Sequence, residues 1–525
     1  MTDWFKITDK LLENNHINIP IEKRLYLSFT ENEGDKVDKN VIIEELKKNG
    51  ILNDDPRIKN FISKLKIIVK TSMISFEEFQ YCLDNNVILV KDILQRKLIL
   101  PYFKTFTDKI EEIYHDTLKL NGGACADYIP QLKRVNPDQY GISICTIDGQ
   151  RYNIGDTKVD FSVQSCCKPI NYGIALEELS EEIYHSYVGR EPSGQSFNEL
   201  ALNKKGLPHN PLINAGAIMT SSLIKKDLSP AERFEYIVSI WEKLSGGIHK
   251  IGFNNPVYLS EKNTADRNFA LAYFMKEINE NKPTGFPVGS NINDTLDLYF
   301  QCCSIEINAE ILAIVASTLA NDGINPFTGE RVFSSENVKN ILSMMLMCGM
   351  YDYSGEFAFK IGIPSKSGVS GPIMMVIPNV MGMVSWSPSL DDIGNSYRGV
   401  EFCKEIGKTF NFHIFDNDYH TDKINPLNEQ YDTNTVKLNN ELCTAACNGD
   451  LEHIRILFNR NIDFNISDYD GRTALHLAVC EKHIDVIKFL VNIVKVNVNK
   501  KDRWGRSPKD EATDPEILEC FKLYI

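Results

Sequence analysis

Apolar residues recur at three-to-four spacing from about residue 21 to residue 106, in the segments 24–29, 41–48, 57–69, 76–83 and 87–98. That period puts one apolar stripe on each helix. The pattern therefore predicts a helical domain over 21–115, preceded by a tail over 1–20. Polar connections at 31–39 and 53–56 give it the layout of a pair of EF-hands. No segment carries the spaced acidic ligands and central glycine of a calcium loop, so calcium binding is not expected.

Beyond residue 122 the period changes. Segments 141–146 and 150–152 flank Ile147-Asp148-Gly149, a hairpin signal. A helix is expected to begin near Ser165, irregularly, because Pro169 disfavours helical backbone at Lys168. Helices are predicted at 229–244, 264–279, 294–304, 309–321 and 335–348. An apolar strand over 369–377, a Pro378-Asn379 turn and a second apolar run to Trp386 form another hairpin, and a helix near 400–410 follows. Strands at both ends of a helical middle predict an α+β domain over 116–420 whose terminal strands share one sheet. A polar, aperiodic stretch containing Pro426 reads as a linker over 421–436.

A repeat occupies 437–525. Ala445-Ala446-Cys447 aligns with Ala478-Val479-Cys480 at an offset of 33 residues, the ankyrin period. Asp470-Gly471-Arg472-Thr473-Ala474-Leu475-His476 fits an ankyrin turn and first helix, and Asp502 to Pro508 opens a third, incomplete copy. In that pattern His476 closes a turn, and Cys443 and Cys447 pack within a helix.

The 525 residues leave room for about three domains, and 43% hydrophobic with 24% charged residues allows packed cores. A net charge of −14 argues against nucleic acid or an anionic membrane as partner. No apolar run approaches the roughly 18 residues of a membrane span. Thirteen cysteines, an odd number with adjacent pairs 166–167 and 302–303, point to a reducing compartment. Neither C-x-x-C nor H-E-x-x-H occurs, so no metal is expected. The first residues show no secretory core and no arginine precedes Arg24, which favours a cytoplasmic protein.

The chemistry centres on Val163-Gln164-Ser165-Cys166-Cys167-Lys168-Pro169. Ser165 and Lys168 share a helix face, where a neutral lysine can take the hydroxyl proton and make the serine a nucleophile. The same spacing at Ser63/Lys66 and Ser222/Lys225 reads as helix surface only. What distinguishes Ser165 is Lys366-Ser367-Gly368, the single K-[ST]-G of the chain. A nucleophile at a helix end facing such a strand is the arrangement of serine β-lactamases and their relatives.

Together these features resemble the animal-type, phosphate-activated glutaminases, in which a serine-β-lactamase-like domain lies between a helical domain and ankyrin repeats. The resemblance is densest in Ala126-Asp127-Tyr128-Ile129-Pro130, Asp148-Gly149-Gln150-Arg151, Gly155-Asp156-Thr157-Lys158, Gln164-Ser165, Asn214-Ala215-Gly216-Ala217 and Gly349-Met350-Tyr351-Asp352. It implies hydrolysis of the side-chain amide of L-glutamine to glutamate and ammonia, without a cofactor. It also implies that Ser165 is the nucleophile, Lys168 its activator and Tyr351 the proton relay, with the N–H groups of Ser165 and Val369 as oxyanion hole. Glu261 would take the substrate ammonium, and Tyr128, Asn214, Asn268 and Tyr299 would bind its remaining polar atoms. Lys366 is read as structural.

Taken singly, each has a plainer reading: Ser165 as a helix cap, the tyrosines as core, the asparagines as loop bonds, Glu261 as a solvated helix end. Two rival functions follow, a β-lactamase or peptidase, and a non-catalytic scaffold carrying the repeats. A free amino acid suits Glu261 and Asn268 better than a cell-wall substrate does, and an intact Ser165, Lys168 and Tyr351 disfavours a decayed site.

Family likeness further implies a homo-oligomer, tetramer or filament, with phosphate as activator and residues 195–203 as an activation loop. Glu199 stands where many relatives carry lysine, and Ala201 where one branch carries phenylalanine, so a weakened phosphate response is expected. The repeats imply a protein partner of unknown identity. Family members are usually mitochondrial, which stands as the alternative compartment.

Overall fold

The structure is a computed structural model. It describes residues 20–521 apart from 28, 30–35, 68–71, 95–96, 195–197, 280–284, 288, 417–422, 428–432 and 460–461. The chain divides into two compact units, Met1–Pro426 and Leu427–Ile525.

The first unit is organised by one five-stranded antiparallel sheet. Its strands are β1 (Gly141–Thr146), β2 (Arg151–Gly155), β3 (Ser365–Ser367), β4 (Pro372–Ile377) and β5 (Met381–Trp386), in the order β2-β1-β5-β4-β3. β1 pairs with β5 from Gly141–Trp386 to Thr146–Met381, so the terminal strands do share one sheet. The strand expected over 369–377 is shorter. Gly371, at φ 101°, turns the chain back and donates to Gly368 O at 2.9 Å, which leaves Val369 in a tight turn between β3 and β4. Only glycine adopts that φ without a Cβ clash.

Among the described residues the longer helices around the sheet are α1 (Phe103–Leu118), α2 (Cys167–Glu178), α3 (Asn214–Leu223), α4 (Pro230–Leu244), α5 (Asn255–Asn263), α6 (Asp266–Asn279), α7 (Ile292–Cys303), α8 (Ala309–Ala320), α9 (Ser335–Cys348) and α10 (Tyr397–Thr409). Alternation along the strands fills both faces. Met374, Val376, Val384 and Trp386 join the core of α8, while Ile373, Met375, Met381 and Met383 join that of α1 and α10. The result is an α+β domain with a sheet between helical layers. Each fully buried Ile, Leu or Phe contributes about 1.5–3 kcal/mol relative to exposure. Helix α1 runs through the boundary expected at 115/116, because Phe103, Phe106 and Ile110 pack into the catalytic sheet's core.

The N-terminal helices Lys39–Lys48, Lys59–Ile67 and Phe76–Leu83 form their own core, and Val37–Asp38 pairs with Met73–Ile74. They dock onto the β1–β2 hairpin. Arg57 donates to Asp148 O at 2.6 Å, Arg151 pairs with Asp54 at 2.6 Å, and Gln150 Nε2 donates to Asn49 O at 3.0 Å. Both guanidinium groups lie over the Phe327 ring, at 5.2 and 5.3 Å. The Asp148-Gly149-Gln150-Arg151 motif is thus an assembly feature.

In the second unit, helices pair as Thr433–Asn448 with Leu451–Asn459, Ala474–Cys480 with Ile484–Lys488, and Pro508–Glu511 with Pro515–Cys520. Thr433 already begins a helix inside the stretch expected as linker. One core runs through all three pairs, from Leu442 and Ala446 through Leu475 and Ala478 to Ile517 and Phe521. His476 Nδ1 caps Thr473 N at 3.0 Å, and its Nε2 is 3.1 Å from Arg506 O of the following repeat, so this residue joins neighbouring repeats. Among the described residues no helix is long and apolar enough to cross a membrane.

Candidate active site

Ser165 sits in a single tight turn, Gln164–Cys166, that runs directly into α2. The irregularity expected at Lys168 lies earlier instead, at Gln164, whose φ is 48°. Pro169 falls in the first turn of α2, where a missing N–H costs nothing. A non-glycine residue in the left-handed region is a local cost that surrounding contacts must repay. Here Gln164 Nε2 donates to Glu261 Oε1 at 2.9 Å and to Ser162 Oγ at 3.3 Å.

Lys168 is 1% exposed, and its ammonium donates to Asn214 Oδ1 at 2.7 Å. Asn214, the first residue of α3, donates in turn to Asn268 Oδ1 of α6 at 3.1 Å. A buried cation with a neutral amide as partner loses hydration without gaining a full counter-charge. Burial accordingly drives the Lys168 pKa below the usual lysine value, although nearby thiols and Glu261 oppose the shift.

Tyr351 approaches from the opposite side, in the turn Tyr351–Tyr353 that follows α9, with φ 53°. Its hydroxyl lies beside the Ser165 side chain, and burial raises its pKa above the usual tyrosine range. Gly349 places it there. A Cβ on Gly349 would stand 1.7 Å from Ser365 O, so only glycine lets this chain pass against β3. Ser367 N donates to Gly349 O at 3.1 Å, completing the seam.

The same seam brings in Lys366. Its side chain is fully buried, donates to Gly349 O at 3.2 Å and Ser367 O at 2.6 Å, and stands 4.6 Å over the Tyr351 ring. Burial, and secondly the charge of Lys168, push its pKa down to about 7. Lys366, read from the sequence as structural, thus packs directly against Tyr351.

A second polar chain forms the far wall. Tyr128 is 45% exposed, yet its hydroxyl donates to Glu261 Oε1 at 2.7 Å. Glu261 is 8% exposed, on α5, rather than a solvated helix end. Burial raises its pKa, while hydrogen bonds from Tyr128 and Gln164 and the charge of Lys168 pull it down. Tyr299 of α7 is buried and lies within electrostatic reach of Glu261 and Tyr128, and burial raises its pKa far above the usual tyrosine range. Val369, half-buried, packs with Ile129 and Val257, and its turn touches the nucleophile segment. A Cβ on Gly368 would be 3.1 Å from Val163 O, and Ser370 Oγ donates to Ser162 O at 2.5 Å.

The fold thus links Lys168, Asn214 and Asn268 in one hydrogen-bonded chain and Tyr128, Glu261 and Gln164 in another, with Gln164 and Lys168 on either side of Ser165 in sequence. Sequence reasoning missed these contacts of Gln164 and those of Lys366. Both stood inside quoted motifs, but no local pattern encodes a positive φ or a lysine turned inward from a strand. Among the described residues no group of three or more His, Cys, Asp or Glu side chains is placed to hold a metal.

Comparison with known proteins agrees with this geometry. Residues 123–415 match the glutaminase family, 21–101 an EF-hand domain, and 414–502 ankyrin repeats. The chain is 45% identical to the mitochondrial liver isoform of glutaminase from Rattus norvegicus, over 91% of this chain and 79% of the relative. It is 43% identical to the glutaminase of Microcystis aeruginosa, over 61% of this chain and 91% of that protein. Among solved structures, the probable glutaminase ybaS superposes with a TM-score of 0.55 at 35% identity, covering 59% of this chain and 97% of that one. A family match over 293 residues, with relatives aligned along nearly the whole chain, leaves one conclusion: the chain belongs to the glutaminase family and is a glutamine amidohydrolase.

Proposed function

We propose that glutamine is hydrolysed through an acyl-enzyme on Ser165. Lys168, whose pKa burial lowers, takes the hydroxyl proton in its neutral form as Oγ attacks the side-chain amide carbon. The N–H groups of Ser165 and Val369 receive the negative charge that develops on the amide oxygen. Tyr351 passes a proton to the departing nitrogen, so that the C–N bond breaks to release ammonia. Water then attacks the ester as the Tyr351 oxygen takes its proton, and Lys168 returns its own proton to Ser165 Oγ as the ester C–O bond breaks, so that glutamate leaves with Ser165, Lys168 and Tyr351 restored.

Glu261 receives the substrate ammonium, and Gln164 holds its carboxylate in place. Tyr128, Asn214, Asn268 and Tyr299 bond the remaining polar atoms. The observation that carries this reading is Lys168, buried one helical turn from Ser165 with an amide rather than an anion as its direct partner. Rapid quenching during turnover, read by mass, should find a glutamyl group on Ser165. A reaction that releases ammonia and glutamate with no such adduct at any time would exclude the serine route.

Assembly and regulation belong to the same proposal. Pro192, Ser193 and Gly194, which immediately precede the expected activation loop, share a cavity of about 430 Å³ with Tyr351. Residues 195–197 lie outside the described residues, whereas Glu199 is exposed. A carboxylate there repels an anionic activator, so phosphate activation of a homo-oligomer is proposed to be weak. Light scattering and turnover across a phosphate titration test it. The unpaired state of all thirteen cysteines suits a reducing compartment. We place the enzyme in the cytoplasm; the rat and mouse liver isoforms are named mitochondrial, and cell fractionation decides between the two.

A further inference from the structure

The second unit carries a surface that glutamine chemistry does not use. Its two later turns, at 468–472 and 502–506, are built alike. Asp468 Oδ1 accepts from Asp470 N and Arg472 N at 2.9 and 2.8 Å, and Asp502 Oδ1 accepts from Trp504 N and Arg506 N, both at 2.9 Å. Each turn is closed again by a backbone bond, Gly471 N to Asp468 O and Gly505 N to Asp502 O, both at 3.0 Å. These bonds hold the tips rigid, and the residues at the tips are large and exposed: Tyr469 at 91% and Trp504 at 55%.

Arg503 ties the tips together. Its N–H donates to Asp470 O at 2.8 Å, its guanidinium pairs with the Asp470 carboxylate at 2.7 Å, and it lies 4.4 Å over the Trp504 ring. Tyr, Trp and Arg are the residue types that most often dominate interface energetics. Held on rigid turns, they lose little conformational freedom when a partner arrives. Core packing does not explain them, because the repeat core is formed by the helices beneath.

Charge indicates what fits there. Residues 495–509 contain six Lys or Arg and one acidic residue, in a chain whose net charge is −14. The single acid, Asp502, is buried and spent on its own turn, so it offsets little of that charge at the surface. Lys501, Arg503 and Arg506 are exposed beside Trp504. A basic strip around aromatic anchors is complementary to acidic side chains interspersed with apolar ones. The acidity of the whole chain works against nucleic acid or an anionic bilayer, which would meet the rest of the surface as well.

We propose that the turn edge formed by Tyr469, Arg503, Trp504 and Arg506 is a docking site for an acidic segment of a partner protein, with an apolar side chain of that segment against Trp504. The inference rests on reading the repeats as a partner-binding unit and is independent of the active-site roles. Binding to the full chain is measured with a labelled peptide of alternating Glu and Leu carrying one Phe, with its Lys-for-Glu counterpart, and with phosphatidylserine vesicles. The acidic peptide should bind, weaken about tenfold or more on Trp504→Ala, as expected for an anchor residue, and weaken further on Arg506→Glu and in high salt. The basic peptide should not bind.

Trp504 and Arg506 are exposed, so thermal unfolding of the variants should match the parent. Absence of acidic-peptide binding, or binding that Trp504→Ala leaves unchanged, overturns the proposal. So does vesicle capture lost through the same residues, which would make the edge a membrane contact. Glutamine turnover, followed on the same preparations, reports separately on the catalytic reading and should not change.

Discussion

Ser165/Lys168 and Ser222/Lys225 have the same spacing but occupy different environments. Ser222 is not on a helix surface, as its sequence context suggests; it is 2% exposed within α3. Its hydroxyl is spent on Met219 O at 2.6 Å, one turn back in its own helix. Lys225 pairs with Glu178 at 3.7 Å and lies 4.7 Å over the Tyr236 ring. Lys168, by contrast, is buried with an amide as its partner, and Ser165 lies beside Tyr351. An anion beside an ammonium stabilises its charged form, whereas burial beside a neutral group destabilises it. Spacing allows a serine and a lysine to meet, but the partner of each decides whether proton transfer is possible.

The contrast breaks first at the serines. Ser165→Ala should lower kcat by on the order of 10⁴ or more with the fold retained, while Ser222→Ala should keep turnover near the parent's. Ammonia release and circular dichroism on both variants measure it; comparable losses would end the distinction. Tyr351→Phe comes next, with kcat reduced about 10²–10⁴-fold, as expected for loss of an acid–base group, and KM little changed. Steady-state kinetics that place the loss in KM would remove Tyr351 from proton transfer.

Glu261→Gln should act mainly on KM, raising it roughly 10- to 100-fold, because a hydrogen bond to a charged group contributes about 1.5–3 kcal/mol. Lys366→Met sharpens the electrostatic side of the comparison. A cation facing Lys168 disfavours the protonated form of Lys168, so deleting it lets Lys168 hold its proton to higher pH. The ascending limb of kcat/KM against pH should move upward; a shift downward would contradict the arrangement. The smallest effect belongs to the other dense motif. Arg151→Ala should cost about 1–2 kcal/mol in thermal unfolding, through its bond to Asp54, and leave kcat unaltered.

Much of this protein was legible before folding. Period-3.6 stripes marked the helices at 39–48, 76–83 and 335–348, and the 33-residue offset marked the repeats, because burying one face demands that spacing wherever the element sits. The candidate nucleophile Ser165 was legible for a different reason. Nucleophile, lysine and K-S-G are short strings whose chemistry requires those residue types.

Tertiary structure decided what local strings cannot encode. The turn at Gly371 shortened the strand expected at 369–377, since a run of apolar residues does not reveal where a left-handed glycine folds it back. Equal motif density gave no sign that Gln164 bonds the buried Glu261 while Gln150-Arg151 binds the N-terminal helices. The pKa of Lys366 follows from burial and from a second lysine nearly two hundred residues away in the chain, and burial is a property of packing alone. The sequence by itself determined which residues could do the chemistry. Only the folded chain decided which of them lose water and which neutral or charged group each then meets.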